Sequence, residues 1–414
     1  MMKGVFMKRS LIKQMLTEWR NNIWLIVEMA VVAFAIWTLF FITWITNKGY
    51  LEPRGFSPDN VYSISVGELS EESPYYLPEY SENYYQDRDE LIRRLRQNPN
   101  VEYVSLHNNM LPYNYNFSGN SLEIEGLPDS ITYYANLRQA EPDIIKILDI
   151  KSTTGKSQDE LIAILERGEV LLSPNKSYEE KYGSVKNLIG KKIMVYFSES
   201  PLRVGDIIEN VRRNDYEPRS EGMLLYTFDS GNPEWAEIAL KVKPGKGKAF
   251  ENDFKNDRAL THLRNVYLTD LQFLPTVGDN IHAPIKVDNR IRIGLSFFML
   301  ITILLGLLGS FWFRVQQRVS EIAIRKTCGA TNKDLFRRIM SEGLLLLLAG
   351  LILTSICVWP FIHKIMEITS EEWYVLLAIE ALTAGFMAIG IILSLWYPAW
   401  RGMKIQPAIA VKEE

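Results

Sequence analysis

Four apolar runs limit what this chain can fold into. Residues 23–45, 293–313, 343–362 and 374–396 are almost free of charge. Each is about 20 residues long, which as a helix crosses roughly 30 Å of hydrocarbon. Core helices of soluble proteins seldom stay apolar all round for so long. Averages over the 414 residues conceal this, because 47% hydrophobic, 23% charged and a net charge of −3 describe an ordinary soluble chain equally well. They exclude a disordered chain and a strongly basic nucleic-acid binder. The first run is not a cleaved signal peptide: it is too long, starts too late and lacks a small-residue cleavage site.

Charge orients the spans. Residues 1–22 carry +4, 314–342 carry +4 and the tail 397–414 carries +1, whereas the short loop 363–373 carries −2. The long segment 47–290 holds 29 basic and 38 acidic residues. Short basic loops stay on the cytoplasmic side. Both termini and 314–342 are therefore expected inside, and 47–290 and 363–373 outside. The fold class that follows is an α-helical membrane domain of four transmembrane helices, with a large extracytoplasmic α+β domain inserted between the first and second helices. Two acids lie within the spans, Glu28 and Glu380. Such charges are costly in lipid and usually face protein or water. Gly294, Gly306 and Gly309 suit either close helix approach or ordinary lipid-embedded packing.

The segment 47–290 is long enough to bury its own core. Asp87-Arg88-Asp89-Glu90 has the spacing that opens a helix, and Asn98-Pro99-Asn100 stops it. Val101 to Leu106 alternates like a strand. Ser157 to Glu160 opens another helix, which Gly168 ends. Val170-Leu171-Leu172, Gly190 to Phe197 and Ala236 to Val242 are further strand candidates. The tyrosine run Tyr75, Tyr76, Tyr80, Tyr84 and Tyr85 reads as a loop folded over the domain, with a contact surface as the alternative.

Chemistry-bearing constellations are scarce. Cys328 and Cys357 make no disulfide framework or C-x-x-C site. His107, His262, His282 and His363 lack the i, i+3 or i+4 spacing of a helical metal pair, so no metal site is proposed. Gly155-Lys156-Ser157 imitates the end of a phosphate-binding loop, but Ile150 occupies the position that loop needs as glycine. Ser157 is better read as a helix cap.

The stretch 314–335 is the most informative. As a helix it sets Arg314, Arg318, Glu321 and Arg325 on one polar stripe, beside Val315, Val319 and Ile322 on an apolar one. Gly329 suits the position just past a helix end. Thr331 and Asp334 have the capping-box spacing that starts the next helix. The result is a cationic elbow: a helix leaving the membrane, a tight turn and a helix returning. On composition alone it could simply rest near anionic headgroups.

This elbow resembles that of ABC transporter permeases of the MacB/FtsX-like superfamily, the macrolide-exporter and cell-division type. Their pattern is close to R-x-x-E-I-x-I-R-K-x-x-G-A-T, and here Arg318, Glu321, Ile322, Ile324, Arg325, Lys326, Gly329, Ala330 and Thr331 fill it. Ala323 and Thr327-Cys328 are small departures. The tail from Pro398 through Arg401 and Pro407 to Val411 resembles the family's closing segment, which usually ends in leucine. Span order matches too, and 47–290 is similar in layout to a MacB-like periplasmic core.

The resemblance implies a function. The permease would couple a separate cytoplasmic ABC ATPase to movement of its outer domain, for export or mechanotransmission, in the bacterial cytoplasmic (inner) membrane. Arg318, Glu321, Ile322, Arg325, Lys326, Gly329, Ala330 and Thr331 would lie at or near the ATPase contact. The chain has no G-x-x-x-x-G-K-[ST] loop, so no cofactor is expected on it and it is not expected to be an enzyme. ATP and Mg would bind the partner ATPase. A second permease, identical or related, is implied, and the family leaves room for an extracytoplasmic adaptor or substrate-carrying protein. The alternative is an FtsX-like regulator that activates an extracytoplasmic cell-wall hydrolase. The size of 47–290 favours the exporter branch.

Overall fold

The computed structural model describes residues 19–114, 118–128, 131–195, 200–216, 222–228, 236–317, 319–366 and 373–403. The chain divides into two units, Asn47–Lys286, and Met1–Thr46 together with Val287–Glu414.

In Asn47–Lys286 the described strands are β1 Val61–Glu68, β2 Val101–Asn108, β3 Gly119–Ile124, β4 Thr132–Ala140, β5 Val170–Leu172, β6 Lys192–Met194, β7 Leu202–Ile207, β8 Gly222–Tyr226, β9 Glu237–Val242, β10 His262–Leu263 and β11 Val266–Phe273. They pair in the order β10-β11-β1-β9-β2-β4-β3-β6-β7-β5-β8, and β8 pairs back onto β4. The last six strands therefore close a ring, while β10 to β2 form an open antiparallel sheet. The seam between them is short: His107 faces Ala140 and Asn108 faces Gln139.

Side-chain period explains the layers. Along β9, Ile238, Leu240 and Val242 point to one face. They pack on Leu91, Ile92 and Leu95 of α2 (Tyr84–Gln97) and on Phe250. Ala239 points the other way, into a second core with Val61, Ile144, Ile147, Leu148 and Leu161 of α3 (Gln158–Glu166). The ring encloses a third core, with Tyr133, Leu137, Leu172, Val204 and Leu224 inside. Each fully buried leucine or isoleucine contributes roughly 1.5–3 kcal/mol.

The expected cap of α3 is present: Ser157 and Glu160 form a reciprocal capping box, and Gly168 follows the helix with φ +74°. The helix expected to open at Asp87 opens earlier, at Tyr84, and its first residues need no side-chain cap. Asp87 is instead buried inside the helix, where Arg264 reaches its Oδ1 at 3.2 Å. The tyrosine run is strapped down. The Leu77 amide donates to Asn265 Oδ1 (2.8 Å), and Asn265 Nδ2 donates back to the Leu77 carbonyl (2.9 Å). Arg264 covers the Tyr80 ring at 4.2 Å, while Tyr75 stays exposed. Of the expected strand 190–197, Lys192–Met194 is observed, and 196–199 lie outside the described residues.

The other unit is helical: α1 Trp19–Asn47, α5 Leu274–Gln317, α6 Val319–Thr327, α7 Asn332–Met366 and α8 Trp373–Met403, with α4 (Gly247–Asn256) belonging to the first unit and α5 beginning there. Among the described residues three helices are long and apolar enough to cross a membrane, at 23–51, 332–360 and 373–397. The remaining run, 293–313, is helical throughout as part of α5, which has 44 residues.

Close approach occurs where the sequence did not advertise it. A Cβ at Gly294, Gly306 or Gly309 would meet nothing within 4 Å. A Cβ at Gly350 would lie 2.9 Å from Met29 Cβ and 3.3 Å from the Ala30 backbone nitrogen, so α7 needs a glycine there against α1, and a Cβ at Gly343 would run into the flexible tip of Leu395 on α8. One turn on, buried Thr354 Oγ1 lies 3.0 Å from the Ala30 carbonyl, within donating distance. The glycines of α5 are open because its apolar side chains, such as Phe297, Phe298 and Leu305, point outward.

Candidate coupling site

The elbow is built from its helix ends. The last carbonyls of α6 have no partner within the helix. Gly329, at φ +93°, turns the chain so that its amide donates to the Lys326 carbonyl (3.1 Å) and the Ala330 amide to the Arg325 carbonyl (3.0 Å). These two bonds define a Schellman cap, and a left-handed φ is what glycine supplies at low cost. The first amides of α7 are met reciprocally. The Thr331 amide and hydroxyl donate to Asp334 Oδ2 (3.3 and 2.6 Å), and the Asp334 amide donates to Thr331 Oγ1 (3.2 Å). Ala330 and Ile339 pack against Ile322 and Leu335, giving the turn its own small core.

Both arms are held by neighbouring rings of α8. Phe336 meets Trp396 edge to face with centroids 5.7 Å apart, and Trp312 of α5 stacks on Tyr397 at 5.6 Å. Such pairs contribute about 0.5–1.5 kcal/mol each beyond area burial. The elbow is a braced element with defined ends.

The structure sorts the expected contact residues. Ile322 is 7% exposed and packs in the core of the turn with Leu335. Two positions on, Ile324 is 56% exposed, although it is not among the contact residues that the resemblance implies. Helical geometry held the signal: two residues rotate by about 200°, so the two isoleucines lie on opposite faces. Arg325 and Lys326 are half-buried, and Gly329 and Thr331 are exposed. Arg318 lies outside the described residues, as do the side chains of Arg314, Val315, Val319 and Glu321, so Arg325 alone represents the expected polar stripe.

Of the two acids within the spans, both are half-buried. Glu28 sits on α1. Glu380 on α8 accepts a hydrogen bond from the Ser355 hydroxyl of α7. The phosphate-loop imitation is structural: Lys156 Nζ donates to the Gly205 carbonyl at 3.0 Å and lies 3.6 Å from buried Asp206, while Ser157 caps α3.

A second cluster, which the sequence did not reveal, lies within Asn47–Lys286. Buried Asp215 receives Arg54 Nη2 at 3.0 Å and the Tyr113 hydroxyl at 3.2 Å. Its backbone amide donates to His282 Nε2 at 3.3 Å. Arg212 donates to the Gly49 and Glu52 carbonyls at 2.6 and 2.8 Å. Burial lowers the His282 pKa, and the Asp215 charge opposes that shift. Burial raises the Tyr113 pKa, and Asp215 adds to that shift. The cluster ties residues 49–54, the first to follow α1, to the start of α5.

Residues 293–407 match the family model of the FtsX-like permease C-terminal domain. The C-terminal part of the chain is thus an FtsX-like permease domain, as the elbow and tail implied. The matched residues include two of the three helices that are long and apolar enough to cross a membrane, 332–360 and 373–397. No curated protein sequence matches it. Among solved structures it is similar to the periplasmic region of MacB from Actinobacillus actinomycetemcomitans, at 14% identity and TM-score 0.32, over 57% of this chain and 97% of that one. It is also similar to the extracellular domain of the noncanonic ABC-type transporter YknZ from Gram-positive bacteria, at 12% identity and TM-score 0.29, over 50% of this chain and 100% of that one.

Proposed function

We propose, on the premise that residues 293–407 form an FtsX-like permease domain, that this chain is the permease subunit of an ATP-driven export or mechanotransmission complex. Its elbow docks on a separate cytoplasmic ABC ATPase, which binds ATP and Mg. Both termini are cytoplasmic, four helices span the bacterial inner membrane, and Asn47–Lys286 works on the outside. Two permeases, identical or related, pair with the ATPases.

The observation that carries this reading is the doubly capped elbow. A helix fixed by a Schellman cap at one end and a capping box at the next holds exposed Ile324 in a fixed place, with half-buried Arg325 next to it. An exposed apolar side chain next to an arginine suits a partner contact. Bracing on Trp396 and Tyr397 lets a push on the elbow move whole helices instead of melting the turn. An outer unit of sheet plus closed ring favours the exporter branch over the hydrolase regulator by its size.

The test is co-purification of the ATPase from native membranes. Glu321→Lys and Arg325→Glu are expected to lower ATPase recovery by at least about tenfold while the permease remains folded, since each reversal of a contact charge costs several kcal/mol. Unchanged recovery would overturn the docking role.

A further inference from the structure

Among the described residues a cavity of about 360 Å³ opens between α1, α7 and α8, near the ends of α7 and α8 that flank the 363–373 connection. That volume suits a small ligand, not a folded partner. Its walls carry Trp37, Trp359 and Trp373, and Glu380 is the one acid among the described lining residues. No lysine or arginine lies among the described lining residues.

The polar groups divide by how they are used. Thr354 and Thr383 have their hydroxyls within hydrogen-bond distance of backbone carbonyls, Ala30 and Gly350 for the first and Ile379 for the second. Glu380 differs. Among the described residues its hydrogen-bond donor is the Ser355 hydroxyl, whereas an ionised carboxylate has about four acceptor sites. A carboxyl at membrane depth is costly unless it is matched. The tryptophans supply broad apolar walls that suit the hydrocarbon body of a ligand whose charge meets Glu380. Trp37 is held in place by stacking on Phe41 at 5.1 Å and 9°. Trp359 and Trp373 are exposed at the rim, which gives access from the lipid side.

The geometry points to an intramembrane binding site for a small lipophilic ammonium, with the cation at Glu380 and the apolar body among Trp37, Trp359 and Trp373. An uncharged lipid chain would fill such a volume without any use for Glu380. The site is independent of ATPase docking, since no elbow residue is among its described lining residues.

The test uses the full chain in phosphatidylcholine nanodiscs with 4-phenylbutylammonium as probe, its neutral analogue 4-phenylbutanol as control, and empty nanodiscs subtracted for partitioning. Calorimetry is expected to give saturable one-site binding of the ammonium. Affinity falls by at least about tenfold for the alcohol, and equally for the ammonium on Glu380→Gln, from loss of the charge-assisted contact. Trp359→Ala, at an exposed position, removes apolar contact with the ligand body and weakens ammonium and alcohol alike, several-fold. Equal affinity for ammonium and alcohol, unchanged affinity in Glu380→Gln, or no saturable binding would each overturn the proposal. Should Glu380→Gln fail to fold, the ammonium and alcohol pair on the unchanged chain decides.

Discussion

His282 faces Asp215 with both ring nitrogens: Nε2 accepts from the Asp215 amide at 3.3 Å, and Nδ1 lies 3.8 Å from its carboxylate. Since Nε2 accepts, the neutral ring carries its proton on Nδ1, toward the carboxylate. Asp215 thus gathers Arg54, Tyr113 and His282 from three separate segments. Asp215→Asn keeps one acceptor but turns an amide toward the Arg54 guanidinium. A loss of about 2–3 kcal/mol is expected, discounted because Arg54 is partly exposed. Hydrogen exchange should speed up together in residues 49–54 and 274–282, by roughly 30-fold or more. Faster exchange in one segment alone would mean that the cluster does not tie them.

His107, at the seam of sheet and ring, is fully buried, and neither ring nitrogen has a hydrogen-bond partner among the described residues. Burial pushes its pKa from 6.5 down to about 3. A base whose folded value is depressed binds its proton more readily when unfolded. Its contribution is therefore complete above about 6.5 and drains away as pH falls toward 3, at about 1.4 kcal/mol per unit. Denaturation of the full chain at pH 7 and pH 5 should differ by about 2 kcal/mol more than in His107→Leu. At pH 7 that substitution should cost little, because no hydrogen bond is lost. An identical acid sensitivity in the variant would refute the assignment.

The elbow turn is a backbone prediction. Gly329→Ala places a Cβ at φ +93° and should cost about 1–2 kcal/mol. Thr331→Ala removes the cap of α7, for about 1 kcal/mol. The readout is amide exchange at positions 329 and 330 for the first substitution, where acceleration of about tenfold is expected, and at 334 for the second, where about fivefold is expected. A protected amide in either variant would show that the cap bonds do not hold the turn.

Glycine use differs between helices. Gly350→Ala forces α7 off Met29 and Ala30 and should cost about 1–3 kcal/mol by overpacking. Gly294→Ala, Gly306→Ala and Gly309→Ala enter open space and should stay within about 0.5 kcal/mol. Unfolding of each variant in detergent separates the cases, and equal losses at Gly306 and Gly350 would contradict the packing.

The sequence by itself determined the apolar runs, the elbow and the caps at Gly329, Thr331, Asp334 and Ser157. Helix ends leave amides and carbonyls that partners within a few residues can satisfy, so such features are written locally. Residue order along the chain, which the averages conceal, also decided that one long segment is polar and four are apolar. Tertiary structure alone decided that Ile322 is internal and Ile324 external, that Asp87 turns to Arg264 instead of capping α2, and that Gly350 is the glycine of close approach. It alone closed β4 to β8 into a ring and joined Asp215 to His282, 67 residues away. Thr354 and Ala30 are 324 residues apart. No local period or spacing encodes such pairs, because they exist only once separate layers have packed and left a buried polar group one place to find its partner.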